Sequence, residues 1–303
     1  MKREVFHGCT SLKQINLPEG LETIEYGAFE FCSSLANIVF PKTLSDIGPD
    51  AFARCRSLIE VVFPDSLKSL GHAAFMSCRN LQRVFLPTAS CKYGGQVFDD
   101  CKNLIKNEFL IIDGHLFKYT GNSSVVTVPE NVKAIETTAF RPFLIDSHNL
   151  TQVILPEGLE RIGDGAFAER QALAAISFPQ GLKTIGSDAF FGCGLKELVL
   201  PESLEEIGNN AFRKISATEI KIPKAVRSIG DSAFSECKML GNLYFEGDPA
   251  ILGVEMLGEY KENLSGYHYV PQGVHVHVKN QSGVEEYMKR YGDHIVLELD
   301  MKE

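Results

Sequence analysis

The chain has no run of basic residues, no long apolar segment and no low-complexity linker. Each absence removes a class of function. Its 303 residues carry 30 Lys and Arg against 39 Asp and Glu, a net charge of −9 with a pI near 5.5. Attraction to phosphate backbones depends on Lys and Arg releasing counterions, so an acidic chain without a basic cluster argues against nucleic acid and anionic membrane. The longest apolar stretches run four to six residues, far short of the roughly 20 that span a bilayer, so no membrane insertion is expected. The N-terminal MKREVFHGCTSL has basic residues but no apolar region of roughly 7–15 residues after them, and does not read as a signal peptide. Catalytic signatures are missing too: there is no G-x-S-x-G, Walker loop, H-E-x-x-H or dinucleotide fingerprint. Acidic pairs such as Glu205-Glu206 and Asp99-Asp100 sit in turns, where solvated charge is the ordinary explanation. The chain reads as a non-enzyme with no cofactor.

What is present is repetition. With 44% hydrophobic residues there is ample material for a core. A phenylalanine, usually within "AF", falls at Phe6, Phe29, Phe52, Phe75, Phe98, Phe140, Phe167, Phe190, Phe212 and Phe234, at intervals of 23, 23, 23, 23, 42, 27, 23, 22 and 22. One unit reads L-x-x-I-x-L-P-x-x-L-x-x-I-G-x-x-A-F-x-x-C-x-x. A period in the twenties containing L-x-x-L-x-L signals a leucine-rich solenoid. In L-x-x-I-x-L the last two apolar residues alternate, so one strand face is buried and the other is wet. The following Pro cannot donate to a ladder and stops the strand. A second pair, such as Leu44 and Ile47, buries another side. Gly48, Gly71, Gly163, Gly186, Gly208 and Gly230 then suit a turn with positive φ. Asp50, Asp188, Asn210 and Ser232 precede "AF" and suit caps of a single helical turn. One unit cannot bury its apolar face alone, and stacking makes a continuous core.

The beat breaks in two places. The 42-residue interval holds NEFLIIDGHLFKYTGNSS, where Asp113-Gly114 between apolar runs signals a two-residue hairpin with strands Phe109–Ile112 and His115–Tyr119. The 27-residue interval holds RPFLIDSHNL, a bulged loop. After Phe245 the repeat stops. Residues 246–303 contain an expected strand at 274–278, a helix at 282–291 and a strand at 295–299. The fold class expected is a right-handed leucine-rich solenoid, mainly β with short helical turns. It has about ten coils of 22–23 residues over 1–245, a hairpin insertion near 105–122, and a β/α cap over 246–303. At the other end Phe6, Leu12, Ile15 and Leu17 would form an open layer, and the first coil is expected to fray.

The units FxxCxxLxxIxLPxxLxxIGxxAF resemble the BspA-like leucine-rich repeats of bacterial surface proteins. EFLIIDGHLFKYTGNSSVVTVPENVKAIETTAF resembles the interrupted unit of that family, and YHYVPQGVHVHVKNQSGVEEYMKRY its usual ending. The resemblance covers nearly the whole chain and implies a binding module. Family members are typically secreted or surface-exposed in host-associated bacteria, and some are implicated in adhesion to host matrix proteins. A host or matrix protein, or a glycan, is therefore the partner implied.

Seven cysteines, Cys9, Cys32, Cys55, Cys78, Cys101, Cys193 and Cys237, share the F-x-x-C position, while Cys91 is off the beat. Stacked coils bring neighbouring positions within disulfide range. Yet small buried thiols work without bonding, and Arg170 and Ile215 replace Cys in two coils, so free thiols are the reading. No C-x-x-C pair suggests zinc. His275 and His277, with His268 and His294 nearby in sequence, could ligate a metal; a solvated strand face is the reading preferred, with no metal expected. The residues pointing outward from successive strands are Asn16, Val39, Val62, Phe85, Thr127, Ile154, Ser177, Val199, Lys221 and Tyr244. The large apolar ones, with Phe85 and Tyr244 as anchors and Arg83 flanking, form a candidate ligand stripe. Exposed strands favour β-branched and aromatic residues in any case. The hairpin residues His115, Phe117 and Tyr119 are a second candidate contact, on the expectation that the hairpin projects. Two functions follow: a non-catalytic surface protein binding protein or glycan on its sheet face, or an intracellular scaffold that stacks end to end through its uncapped first coil.

Overall fold

A computed structural model of the chain describes residues 1–141, 150–247, 249–253, 255–257, 259–263, 266–270, 274–278 and 296–299. The protein is a β-solenoid of about ten turns with almost no helix. It divides into two compact units, Met1–Gly121 with Glu136–Ala139 and Asn122–Ile135 with Phe140–Glu303.

Three sides of each coil stack on their neighbours. On one side lie short parallel strands in strict register, such as Val125–Thr127, Gln152–Ile154 and Ala175–Ser177. On the second, two-residue strands pair, as in Thr23–Ile24, Asp46–Ile47 and Ser69–Leu70. The third side is the "AF" turn. There, alternate N–H groups donate to the next coil: Gly27 to Pro49, Phe29 to Ala51 and Phe31 to Ala53. The intervening N–H groups close four-residue turns within their own coil, as in Ala28 to Glu25 and Glu30 to Gly27. The phenylalanines stack through the centre. Phe29, Phe52 and Phe75 lie 5.0 Å apart at 11°, and Phe167, Phe190 and Phe212 follow at 5.1 and 5.4 Å. All of them are fully buried.

The expected helical turns are not there: among the described residues the one helical segment is a 3-10 turn at Lys102–Leu104. Asp50, Asp188, Asn210 and Ser232 are not caps but sit in left-handed conformation, φ 53–55°, which Asp and Asn tolerate more readily than most residues. The same conformation falls on Gly27, Ala73 and Gly165 at the equivalent place. The recurring glycines two residues earlier need no positive φ. Gly48, Gly71, Gly186, Gly208 and Gly230 are glycine because coils approach closely: a Cβ on Gly71 would lie 2.4 Å from Pro49 N, and one on Gly208 2.4 Å from Ser187 N.

The Cys position has a clear chemistry. Each buried thiol points at the Phe carbonyl of the preceding coil, as in Cys55 to Phe29 and Cys78 to Phe52, both at 3.2 Å. Arg170 takes the same place with Nε donating to the Phe140 carbonyl at 2.6 Å. All eight cysteines are free. Burial pushes the Cys101, Cys193 and Cys237 thiols up to about 12, and thiolate is the reactive form. A thiol reagent should therefore label exposed Cys9 first and half-buried Cys91 slowly. Cys32, Cys55, Cys78, Cys101, Cys193 and Cys237 should react only on unfolding. Rapid labelling of any of these six by intact mass would contradict the ladder.

The hairpin forms as expected, with Asp113 and Gly114 both at positive φ (49° and 82°) and Ile112 opposite His115. Past Phe245 the motif ends but the ladders do not. Ile251–Leu252 pairs with Ser228–Ile229, and His275–Val278 pairs with Asn242–Phe245 and with Val296–Leu299. The expected helix at 282–291 and most of the loop RPFLIDSHNL lie outside the described residues. In the first coil the Glu4, Phe6 and Gly8 N–H groups bond to Tyr26, Ala28 and Glu30 like any other turn, while Phe6, Leu12, Ile15 and Leu17 are half-buried.

Asp46 illustrates a polar pairing between coils. The Ser45 hydroxyl, then the Ser69 hydroxyl at 2.6 Å, hold its carboxyl below the usual range. A depressed folded value means this pairing stabilises above the unfolded pKa and fades as pH falls through the folded one. Ser69→Ala should raise the Asp46 midpoint in a carboxyl NMR titration; an unmoved midpoint would refute the assignment.

Candidate binding surface

The outward row exists in both units. In the first unit Val62 lies beside Phe85 in register, and Val39 occupies the preceding coil, whose Phe40 ring stacks on Phe63 at 5.7 Å. Val39, Val62 and Phe85 are 80%, 54% and 48% exposed. Alternation produces this: Val61 and Val84 point inward and are buried, so their neighbours must face water. Arg83 is exposed and ion-paired with Glu60 on the adjacent strand.

In the second unit the row runs Thr127, Ile154, Ser177, Val199, Lys221, Tyr244 and His277. Ile154 and Val199 are exposed, at 45% and 78%, but Ser177 and Lys221 interrupt them. Tyr244 is half-buried: its ring stacks on His277 at 4.1 Å, with Lys221 Nζ 5.8 Å from its centroid. It is a packed residue more than an open anchor. His277 is not on the solvated face expected for it but buried, with Nε2 3.2 Å from Asn242 Oδ1, while His275 on the same strand is exposed. Among the described residues no group of three or more His, Cys, Asp or Glu could hold a metal ion. The side chain of His268 and all of His294 lie outside the description.

The hairpin does not project. Phe117 is buried edge-on against Phe98 and Tyr93, each at 5.1 Å, and Tyr119 is buried against Phe109. His115 sits 2.7 Å from the carboxylate of buried Glu136, and Lys118 pairs with Asp99 at 3.4 Å. The insert repacks the first unit's core, which removes Phe117 and Tyr119 from any contact surface.

Sequence reasoning did not find two grooves on the second unit's sheet face. One, of about 580 Å³, runs between the strand Ala175–Ser177 and residues 196–200; the other, of about 380 Å³, lies between 196–200 and Glu219–Ile222. Val199 forms the ridge between them.

A model of the BspA type leucine rich repeat region matches residues 1–111, 32–144, 110–169 and 143–256. The chain belongs to this BspA-type family. Its members are bacterial surface proteins that generally act as binding modules, and the repeat fold is generally non-enzymatic. Solved structures similar to the chain include a leucine-rich repeat protein from Bacteroides ovatus (22% identity, 98% of this chain and 80% of that one, TM-score 0.36). A leucine rich cell surface protein from Faecalibacterium prausnitzii matches at 24% identity over 80% and 69% of the two chains, TM-score 0.33. The T. pallidum leucine rich repeat protein matches at 26% identity over 48% and 79%, TM-score 0.43. Comparison with curated proteins returned no match. Among the described residues no helix is long and apolar enough to cross a membrane.

Proposed function

We propose that this BspA-type chain is a non-catalytic binding module of a bacterial cell surface that takes a protein or glycan on its sheet face. The observation that carries this reading is the row Val39, Val62 and Phe85. Three successive coils each leave a large apolar side chain about half or more in water at one outward position. Contiguous exposed apolar residues mark interaction sites, and aromatics contribute most at interfaces. Arg83 and Glu60 supply a polar rim beside them. Division into a solenoid over 1–245 and a capping segment over 246–303 belongs to the same proposal.

The test is a binding screen of the purified chain against host matrix proteins and mucin glycans, beside a Val62→Glu/Phe85→Glu variant. Both sites are exposed, so the variant should keep its melting temperature within a few degrees. A ligand held by the parent chain and weakened tenfold or more in the variant is expected. A ligand bound equally by both would move the site off this row.

The half-buried Phe6, Leu12, Ile15 and Leu17 favour a second reading, a scaffold that self-associates through its first coil. Light scattering separates the two: mass rising with concentration supports stacking, and a constant monomer mass excludes it.

A further inference from the structure

The strand Ala175–Ser177 pairs on one edge only. Gln152–Ile154 lies against it in register. On its other side, residues 196–200 make a single bridge, Leu198 to Ile220, directed away from it. Among the described residues no backbone hydrogen bond joins 174–178 to 196–200. The same two coils are closed elsewhere. Thr184 and Ile185 pair with Glu206 and Ile207, and Phe190 stacks on Phe212.

The coil on the far side of the seam is one residue short, as is the coil after it, where Ile215 and Ala217 are two apart. Cys193 and Leu195 are likewise two apart, where Cys55 and Leu58 are three apart. The shortened turn is drawn onto the preceding coil at Gly194, where a Cβ would lie 2.2 Å from the Gln171 carbonyl oxygen. The strand side is open as a seam. Its effect reaches the core: Ile176 is half-buried, whereas Val61, Val84, Val126, Val153, Leu198, Ile220 and Leu243 at the equivalent inward position are all buried. The larger groove follows this seam, with Ala175, Ile176 and Ser177 on one side and Lys196, Glu197 and Val199 on the other.

We propose that the seam receives an extended peptide segment of a partner protein, paired main chain to main chain with the free edge of Ala175–Ser177. This rests on the sheet-face reading and adds to it a contact within the second unit, at one junction and with one ligand chemistry. Backbone N–H and C=O groups need partners, and an unpaired strand edge offers them in the fixed alternation that another strand matches. Alternate side chains of the segment would cover Ile176 and Val199, and the others would face Lys196, Glu197 and water. A sugar offers hydroxyls but not that fixed repeat. A strand takes about 4.8 Å on each side, so the seam widens here while the 184–185 and 206–207 pairs stay closed.

The experiment is NMR of the full chain titrated with a blocked pentapeptide of alternating threonine and valine. The same peptide N-methylated at alternate residues, and maltotetraose, serve as comparisons. The plain peptide is expected to shift the amides of 175–177 and 196–199 and slow their hydrogen exchange, and the N-methylated one is not. Val199→Arg, at an exposed ridge, should weaken the effect at least fivefold. Equal shifts from both peptides, shifts by maltotetraose in their place, or no shifts at millimolar peptide overturn the proposal. A macromolecular ligand lost in Val62→Glu/Phe85→Glu with no peptide shifts at the seam sinks this inference alone and leaves the sheet-face reading standing.

Discussion

Phe190→Ala is expected to lower the free energy of unfolding by about 3–5 kcal/mol, the range for truncating a fully buried aromatic. The ring is 0% exposed. It stacks between Phe167 and Phe212 and meets Phe178 edge-on at 5.5 Å. In a solenoid each coil contacts only its neighbours, so stability is approximately a sum over interfaces. One truncation in the middle of the stack therefore weakens two interfaces at once. Phe6→Ala is the internal control: that ring is half-buried and stacks on Phe29 alone, so its loss should cost clearly less. Urea unfolding followed by circular dichroism measures both. A Phe190→Ala cost below about 1 kcal/mol would mean that the phenylalanine column is not the core.

The second large effect separates two explanations of the repeat glycines. Gly71→Ala should cost about 3 kcal/mol, at the upper end of overpacking penalties. The added methyl would meet Pro49 N at 2.4 Å and the Gly48 carbonyl carbon at 2.5 Å. Those are backbone atoms and cannot rotate away. Gly165→Ala should cost only about 1 kcal/mol, although Gly165 has φ 58°. Ala73, at the equivalent position, already adopts φ 52°, so the turn accepts a side chain there. The order of the two melting temperatures is the readout. If Gly165→Ala proved the more damaging, backbone conformation and not coil spacing would be the reason for glycine.

This contrast also marks how far residues alone could lead. The phenylalanine interval, the inward-outward alternation around Val61 and Val84, and the Asp113-Gly114 hairpin all follow from local rules of period and turn chemistry, and all were legible. The glycines were placed correctly but for the wrong cause, because close approach between coils is a property of the stack and not of any one unit. Asp50 and Asp188 looked like helix caps for the same reason: local chemistry offers a cap or a left-handed turn, and only stacking, which takes alternate N–H groups for the next coil, chooses between them. Phe117 and Tyr119 looked like exposed hairpin residues, but Phe117 packs edge-on against Phe98 and Tyr93 and Tyr119 against Phe109, which buries both. Of the candidate surface, the row Val39, Val62 and Phe85 could be read from the repeat. The partial burial of Tyr244 could not, since its partner His277 belongs to a rung beyond the recognisable motif. The seam beside Val199 could not be read from the one-residue deficit in its coil, since Ile215 and Ala217 are equally two apart and their strand pairs in full with Asn242–Phe245.

The measurement that tests the binding account most directly is hydroxyl-radical footprinting of the chain with a captured ligand. Val39, Val62 and Phe85 should lose reactivity on binding, while Met239 and Ile251, exposed apolar residues off that row, should keep theirs. Protection of Met239 or Ile251 with Phe85 unchanged would contradict a ligand seated on the sheet face.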